Sequence, residues 1–380
     1  MPALQNIIST LPHELLGEIF TSSAAGFPHA PIVLGAVSRL FRHVAYTTPS
    51  AWSHLELSDA NGGGKAALWF KLSKAHDVDV QIDIKARVGR PQHGVEDATA
   101  KAPTAVETLQ FHTHRIPSLC IRTDTQAEAR AALAAIYSDV HPTSIGLRSL
   151  RISSAATPVT SDALLAFPAI PSLIDLESTN IPLSALLSLD LRNVQSLRVV
   201  QPLLSPPIAI EDIVELGCAA PSLRRLHVEG RIAEPTTGVA VEQCFLPHLS
   251  ELHLRANNII ALLDRFIVPA LRQLHISDFD GKRANASAEM GVGLHRLLVR
   301  MELGKGDVKS NELRVLEVAG VKVEQSDAAW QRCMQRMKLE VFNVDSPGER
   351  SQEAIAKVET CPQEPRTRPI EAGFGFGFGF

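Results

Sequence analysis

The apolar residues near the start of the chain recur at the spacing of an α-helix. Four of them, at i, i+4, i+5 and i+8, predict an amphipathic helix over residues 11–20: Leu11, Leu15, Leu16 and Ile19. A second stripe predicts one helix between Pro31 and Pro49: Val33, Val37, Leu40, Phe41 and Val44. Two helices and the following Trp52 are near the lower size limit for an independent core. We therefore expect them to complete their core on a neighbouring element or on a partner.

Farther along the chain, the motif Leu-x-x-Leu-x-(Leu/Ile/Val) recurs. Its copies begin at Ile116, Leu147, Leu173, Val194, Leu223, Leu249, Leu271, Leu313 and Leu339. Helical candidates such as "AEARAALAAIYSDV" and "NIIALLDRFIV" lie between copies, and "GVGLHRLLVRMEL" fills the longest interval. The alternation of strand and helix predicts an α/β fold whose repeated units stack on one another. Separate β-α units of an ordinary α/β protein are the alternative.

Within each predicted strand, the residues before and after the second Leu face away from the core. These positions predict a polar, mixed-charge surface for a protein partner: Arg151, Arg198, Arg225, His227, Glu251, His253, His275 and Glu317. Strands about 4.8 Å apart would stack the three histidines in one row. A metal or pH-sensing site is the sharper interpretation of this row. We expect no metal, because no row of carboxylates or thiols accompanies the histidines.

Composition and charge narrow the function classes. The chain of 380 residues carries a net charge of −4, which does not favour a nucleic-acid partner. Its five cysteines are scattered and form no CxxC pair, which favours a reducing compartment. No signal peptide and no apolar run long enough to span a membrane is present, so we expect a soluble cytoplasmic or nuclear protein.

Two segments are similar to functional motifs without completing them. "DANGGGKAAL" has Asp59 and Ala66 where a phosphate-binding loop needs Gly and a hydroxyl, so a flexible turn is expected there. "FHTHR" offers His112 and His114 but no third metal ligand nearby. With no G-x-S-x-G, HExxH or catalytic cysteine pattern either, we expect neither an enzyme nor a cofactor.

The N-terminal segments together resemble an F-box. "LPHELLGEIF" matches the family pattern Leu-Pro-x-Glu-Leu-Leu-x-x-Ile-Phe at every defined position, and "TTPSAW" is similar to its closing Thr-Pro-x-Leu-Trp. Ser38, Phe41 and Ala51 replace the usual Cys, Trp and Leu. With the repeats that follow, the chain is similar to F-box/leucine-rich-repeat proteins of the divergent fungal kind.

The resemblance implies a small helical F-box module followed by an irregular leucine-rich-repeat solenoid. It implies that the helices bind a Skp-type adaptor, and through it a cullin, while the repeats bind an unknown protein substrate of a ubiquitin ligase. The residues implied for the adaptor interface, or for the small core beneath it, are Leu11, Pro12, Leu15, Leu16, Ile19, Phe20, Val37, Leu40, Phe41 and Val44. The alternative is a repeat scaffold without a ubiquitin-ligase link, whose N-terminal helices only cap the first repeat.

Three regions follow from these patterns. Residues 1–58 are the expected F-box-like domain, and residues 59–346 the expected leucine-rich-repeat-like solenoid. Residues 347–380 are rich in Pro and charge and end in four Gly-Phe pairs, so we expect a disordered tail.

Overall fold

The computed structural model describes residues 11–58, 62–84, 102–137, 140–155, 167–234, 243–279, 286–303, 313–321, 328, 330–331 and 341–345. The predicted tail, 347–380, lies outside the described residues.

Three short helices open the structure: α1 (His13–Gly26), α2 (Ala30–Val37) and α3 (Arg39–Thr47). The single helix predicted between Pro31 and Pro49 is wrong, because Ser38 has extended backbone (φ −155°, ψ 167°) and separates α2 from α3. The Ser38 hydroxyl accepts a hydrogen bond from the Phe41 N–H at 3.1 Å. A serine that caps the following helix in this way also ends the preceding one.

The rest of the described chain alternates between strands and helices. The strands are β1 (His54–Leu57), β2 (Asp79–Ile84), β3 (Ser118–Thr123), β4 (Ser149–Ser154), β5 (Asp175–Thr179), β6 (Ser196–Val200), β7 (Arg225–Gly230), β8 (Cys244–Phe245), β9 (Glu251–Ala256), β10 (Phe266–Ile267), β11 (Gln273–Asp278), β12 (Val315–Ala319) and β13 (Val341–Asp345). The helices are α4 (Gly62–Leu72), α5 (Ala102–Phe111), α6 (Gln126–Tyr137), α7 (Leu183–Leu186), α8 (Ile210–Ala219), α9 (Ile259–Leu263) and α10 (Ala286–Leu303). Short 3₁₀ turns lie at Pro49–Trp52, Thr113–Arg115 and Pro142–Ser144.

The glycine run of "DANGGGKAAL" begins α4, so the expectation of a flexible turn over the run is wrong. Lys65, the residue after the run, donates a hydrogen bond to the Glu56 carbonyl at the end of β1. Its ammonium lies 5.1 Å from the centroid of the Trp69 ring, one turn later. These contacts with β1 and within α4 hold the start of the helix in place.

Eleven of the described strands form one sheet in the order β1-β2-β3-β4-β5-β6-β7-β9-β11-β12-β13, and every neighbouring pair is parallel. The second Leu of each motif is aligned with that of the next, as in Leu226, Leu252 and Leu274. β8 and β10 pair separately, within the connections before β9 and β11. The prediction of an α/β fold is confirmed.

One face of the sheet is apolar and buried. The second Leu of each motif and the residue two positions later are buried on β3, β4, β6, β7, β9, β11 and β12, and the residues between them are half-exposed or exposed. The buried side chains form one hydrophobic cluster that runs from Leu16 in α1 to Trp330. β1, at the end of the region predicted as the first domain, pairs with β2 and belongs to the same sheet. The three N-terminal helices therefore share the core of the sheet.

A buried asparagine closes the bend after β5. Asn180 has a left-handed backbone (φ 59°), which asparagine tolerates better than most residues. Its amide donates to the Ser154 carbonyl at 3.1 Å and accepts from the Ser205 hydroxyl at 2.8 Å. Asn180 thus satisfies backbone and side-chain groups of two neighbouring units inside the core.

Candidate functional site

Two surfaces carry the residues that the sequence singled out. The first consists of exposed large apolar side chains on α1–α3 and on Phe27, the residue that follows α1. We call it the helical apolar surface: Leu15, Ile19, Phe27, Ile32, Val33, Val37 and Tyr46. Each of them is between 45% and 65% exposed. Exposed apolar side chains concentrated on three consecutive helices favour an interaction surface.

The ten residues implied for adaptor binding divide into three groups by exposure. Pro12, Leu15, Ile19 and Val37 are exposed, whereas Leu11, Leu40 and Phe41 are partly buried against the core. Leu16, Phe20 and Val44 are fully buried. The ring of Phe20 meets that of Phe41 edge to face at 5.4 Å. The exposed group is available to a partner, and the buried group supports it from below.

Trp52 joins these helices to the sheet. Its indole N–H donates to the Ala45 carbonyl in α3 at 2.8 Å. Its ring meets that of Trp69 in α4 at 4.9 Å, edge to face. Trp69 in turn donates to the His54 carbonyl at the start of β1, at 2.7 Å. This chain of contacts fixes the helical apolar surface relative to the sheet.

The second surface is the polar face of the sheet, which we call the sheet surface. The predicted row of three histidines is confirmed, since His227, His253 and His275 are direct partners on β7, β9 and β11. The rings of His227 and His253 lie 5.6 Å apart and 25° from parallel. Arg151, Arg198 and Glu317 lie in the same row, while Arg225 and Glu251 lie two residues earlier on their strands.

Each histidine of the row has a carboxylate close to its ring. Glu251 Oε1 lies 2.6 Å from His253 Nε2, and Glu317 Oε2 lies 2.8 Å from His275 Nδ1. Glu229 Oε2 lies 3.6 Å from His227 Nε2. Two of these carboxylates belong to the same strand as their histidine, two residues away, and the third follows in the row. They do not form a row of their own. Glu251 and Glu317 belong to the predicted surface, whereas Glu229 does not.

Burial and neighbouring charges set the protonation of this cluster. Burial lowers the pKa of His253 below its ordinary value of 6.5, and the charges of His275 and His227 lower it further. The hydrogen bond to Glu251 opposes these effects without reversing them. His227 and Arg255 lower the pKa of Glu229. Near neutral pH the sheet surface therefore presents a neutral His253 on β9 and an ionised Glu229 near His227 on β7.

A groove of about 210 Å³ follows this row and is lined by His227, His253, His275, Arg255 and Glu317. In the part of the chain that the structure describes, no three His, Cys, Asp or Glu side chains are grouped so that they could hold a metal ion. His112, from the "FHTHR" segment, stacks on Phe70 at 4.2 Å. Its role in the described structure is packing.

A second groove, of about 240 Å³, lies on the sheet surface near β3–β6. Glu177 in β5 contacts two arginines there, Arg151 Nε at 2.6 Å and Arg198 Nε at 3.7 Å. The hydroxyl-bearing residues Ser118, Ser149 and Ser196 line the same groove. Asp175 lines the same groove, so two carboxylates balance its two guanidinium groups.

Sequence reasoning left several residues of the sheet surface out of the candidate set: Asp175, Glu177, Glu229 and Arg255. Asp175 pairs with Arg225 at 3.4 Å, and Glu229 with Arg255 at 2.9 Å. Arg255 and Glu229 lie two residues beyond the histidines of their strands, on the same face. The period of two along a strand could have identified them.

Comparison with protein-family models and with curated proteins finds no match for the chain. Among the helices described, none is both long enough and apolar enough to cross a membrane.

Proposed function

We propose that the chain is the substrate-recognition subunit of a Skp–cullin–F-box ubiquitin ligase. The helical apolar surface would bind a Skp-type adaptor, and the sheet surface would bind a protein substrate. Such a subunit would be a connector that works in the cytoplasm or nucleus. The proposal includes the finer fold interpretation, an F-box module followed by a leucine-rich-repeat solenoid.

The helical apolar surface is the observation that carries the proposal. Leu15 and Ile19 in α1 and Val37 in α2 belong to the segments that resemble an F-box, and all three are exposed. Removing apolar area from water is favourable by about 25 cal/mol per Å², and the cost of association offsets part of this gain. An adaptor that covered these side chains would gain this free energy, while the core beneath Leu15 and Ile19 is already filled by Leu16 and Phe20.

The sheet surface supports the substrate half of the proposal. The parallel strands follow one another in chain order, so a polymer lying across them would meet a new strand at each step of about 4.8 Å. Arg151, Arg198 and Arg225 are each at least half exposed. A surface with mixed charge favours selectivity through complementary charges.

A scaffold without a ubiquitin-ligase link is the alternative, and one observation favours it. Leu16, Phe20, Val44 and Trp52 belong to the same hydrophobic cluster as the strands. The N-terminal helices could therefore serve only to cover the first edge of the core.

Co-purification of the full chain with a Skp-type adaptor tests the proposal. Ile19→Asp and Leu15→Asp place charge on the helical apolar surface at exposed positions, so we expect a folded protein that loses the adaptor. Leu204→Asp is the matched control, because Leu204 is 94% exposed outside this surface. Retention of the adaptor by both α1 variants, or no capture by the wild type, would favour the scaffold.

A further inference from the structure

Two cysteines lie in contact at the junction of α8 and β8. The Sγ atoms of Cys218 and Cys244 are 3.5 Å apart, although 26 residues separate them in sequence. Cys218, in the last turn of α8, is exposed, and Cys244, the first residue of β8, is fully buried. One thiol is therefore accessible to a reagent in solution, and the other is accessible only to its partner.

Packing holds the two sulfur atoms at this distance. A Cβ on Gly217 would lie 2.9 Å from Cys244 Sγ, so the sulfur occupies space that only a glycine leaves against α8. On the other side, the Cys244 N–H donates to the Arg265 carbonyl at 2.8 Å. Cys244 is thus fixed between the backbone of the helix and the strand pair β8–β10.

We propose that Cys218 and Cys244 are a redox-active pair that a low-molecular-weight disulfide converts into an intramolecular disulfide. A disulfide bond is about 2.05 Å long, so the two sulfur atoms must approach by about 1.5 Å. This is a small movement, and the exposed position of Cys218 at the end of a helix allows it. The pair is independent of the helical apolar surface and of the proposed function.

The reaction proceeds by two thiol–disulfide exchanges. The Cys218 thiolate attacks one sulfur of the reagent RSSR, which forms a mixed disulfide and releases one RS⁻. The Cys244 thiolate then attacks Cys218 Sγ, which forms the intramolecular disulfide and releases the second RS⁻. The protein loses two protons and two electrons, and RSSR is reduced to two thiols. An excess of reduced thiol drives both steps in reverse.

Exposure assigns the order of these steps. Only Cys218 is exposed, so Cys218 reacts with RSSR first. Cys244 then attacks the Sγ atom of Cys218 in the mixed disulfide. Burial raises the pKa of the Cys244 thiol, and the adjacent Cys218 raises it further. The thiolate of Cys244 is therefore scarce at neutral pH. We expect the second exchange to limit the rate and to accelerate as the pH rises.

The disulfide would join α8 to β8 and so link consecutive parts of the core. A cross-link between residues far apart in sequence restricts the unfolded chain and favours the folded state. We therefore expect the oxidised protein to unfold at a higher temperature than the reduced protein.

The test uses the full wild-type chain and oxidised glutathione as the probe. After incubation, free thiols are alkylated, and peptide mapping by mass spectrometry locates every cysteine. We expect the Cys218 and Cys244 peptides to be linked, with a mass lower by two hydrogen atoms. The unfolding temperature should rise, and dithiothreitol should reverse both changes. Cys120→Ser is the matched control and should behave as the wild type, whereas Cys218→Ser should show neither change.

Three results on the wild-type chain would overturn the proposal. In the first, both Cys218 and Cys244 are alkylated, which shows that their thiols stayed free. In the second, Cys218 remains joined to glutathione. In the third, Cys218 is linked to a cysteine other than Cys244. Because the peptide map of the wild type decides among them, the test does not depend on the folding of a variant. Adaptor binding measured on the same samples reports on the proposed function separately.

Discussion

The imidazole rings of His253 and His275 stack face to face, with centroids 4.0 Å apart and planes 8° from parallel. They occupy partner positions on the neighbouring strands β9 and β11. Each ring also bonds a carboxylate, His253 that of Glu251 and His275 that of Glu317. Burial lowers the pKa of His253, and because like charges at this separation repel each other, the charge of His275 lowers it further.

The lowered pKa of His253 predicts that acid destabilises the fold through this residue. The unfolded chain takes up a proton near pH 6.5, the ordinary value, before the folded chain does. The stability that His253 contributes to the fold is therefore fully present above pH 6.5. It is lost as the pH falls toward the lowered pKa of His253 in the folded chain. Urea unfolding of the wild type and of His253→Gln, on either side of pH 6.5, measures it: the wild type should lose more stability than the variant.

His248→Gln is the control for this experiment, because His248 is exposed outside the sheet surface. It should keep the pH dependence of the wild type. An equal pH dependence in His253→Gln and in the wild type would contradict the assignment.

Leu15 and Leu16 are adjacent in α1 and should differ strongly in their contribution to stability. Leu16 is 1% exposed, so Leu16→Ala should lower the free energy of unfolding by about 2–5 kcal/mol through lost burial and a cavity. Leu15 is 45% exposed, and Leu15→Ala should change it by about 0.5 kcal/mol or less. Chemical denaturation of both variants tests this. Equal losses in the free energy of unfolding would contradict the finding that α1 turns Leu16, and not Leu15, toward the core.

Asn180→Ala should destabilise the fold by about 2–4 kcal/mol, since buried groups lose their partners. The Ser154 carbonyl and the Ser205 hydroxyl each lose one bond, and alanine must adopt a left-handed backbone. Asn193→Ala is the matched control, because Asn193 is exposed and its side chain donates to the Pro171 carbonyl at 2.8 Å. Asn193→Ala should lower the free energy of unfolding by about 0.5 kcal/mol. A loss as large as that of Asn180→Ala would refute this account.

Glu177→Gln should change the free energy of unfolding by less than about 1 kcal/mol, because its two arginine partners are 57% and 50% exposed. Asp264→Asn makes a useful comparison. Asp264 pairs with Arg296 at 2.8 Å, which is 50% exposed, and with Arg300, which is only 16% exposed and also donates to the Leu263 carbonyl at 2.8 Å. We expect the larger loss in Asp264→Asn, because one of its two arginine partners is mostly buried. A greater loss in Glu177→Gln would contradict this ranking.

The sheet surface could be predicted in large part from sequence, because two short-range rules define it. A strand alternates its side chains between two faces, and the repeated Leu motif marks the buried face of each strand. Backbone hydrogen bonds between neighbouring strands then align the motifs, whatever the length of the connection between them. The row from Arg151 to Glu317 follows from these rules, and so does the stacking of the histidines.

The sequence by itself determined the α/β class, the positions of most strands and the face on which the histidines lie. Only the tertiary structure decided that Leu16 is buried while Leu15 is exposed, that Ser38 divides the predicted helix and that Cys218 meets Cys244. The physical reason is the range of the interactions. Alternation and helical spacing are local, whereas burial and contact across 26 residues depend on which elements pack together.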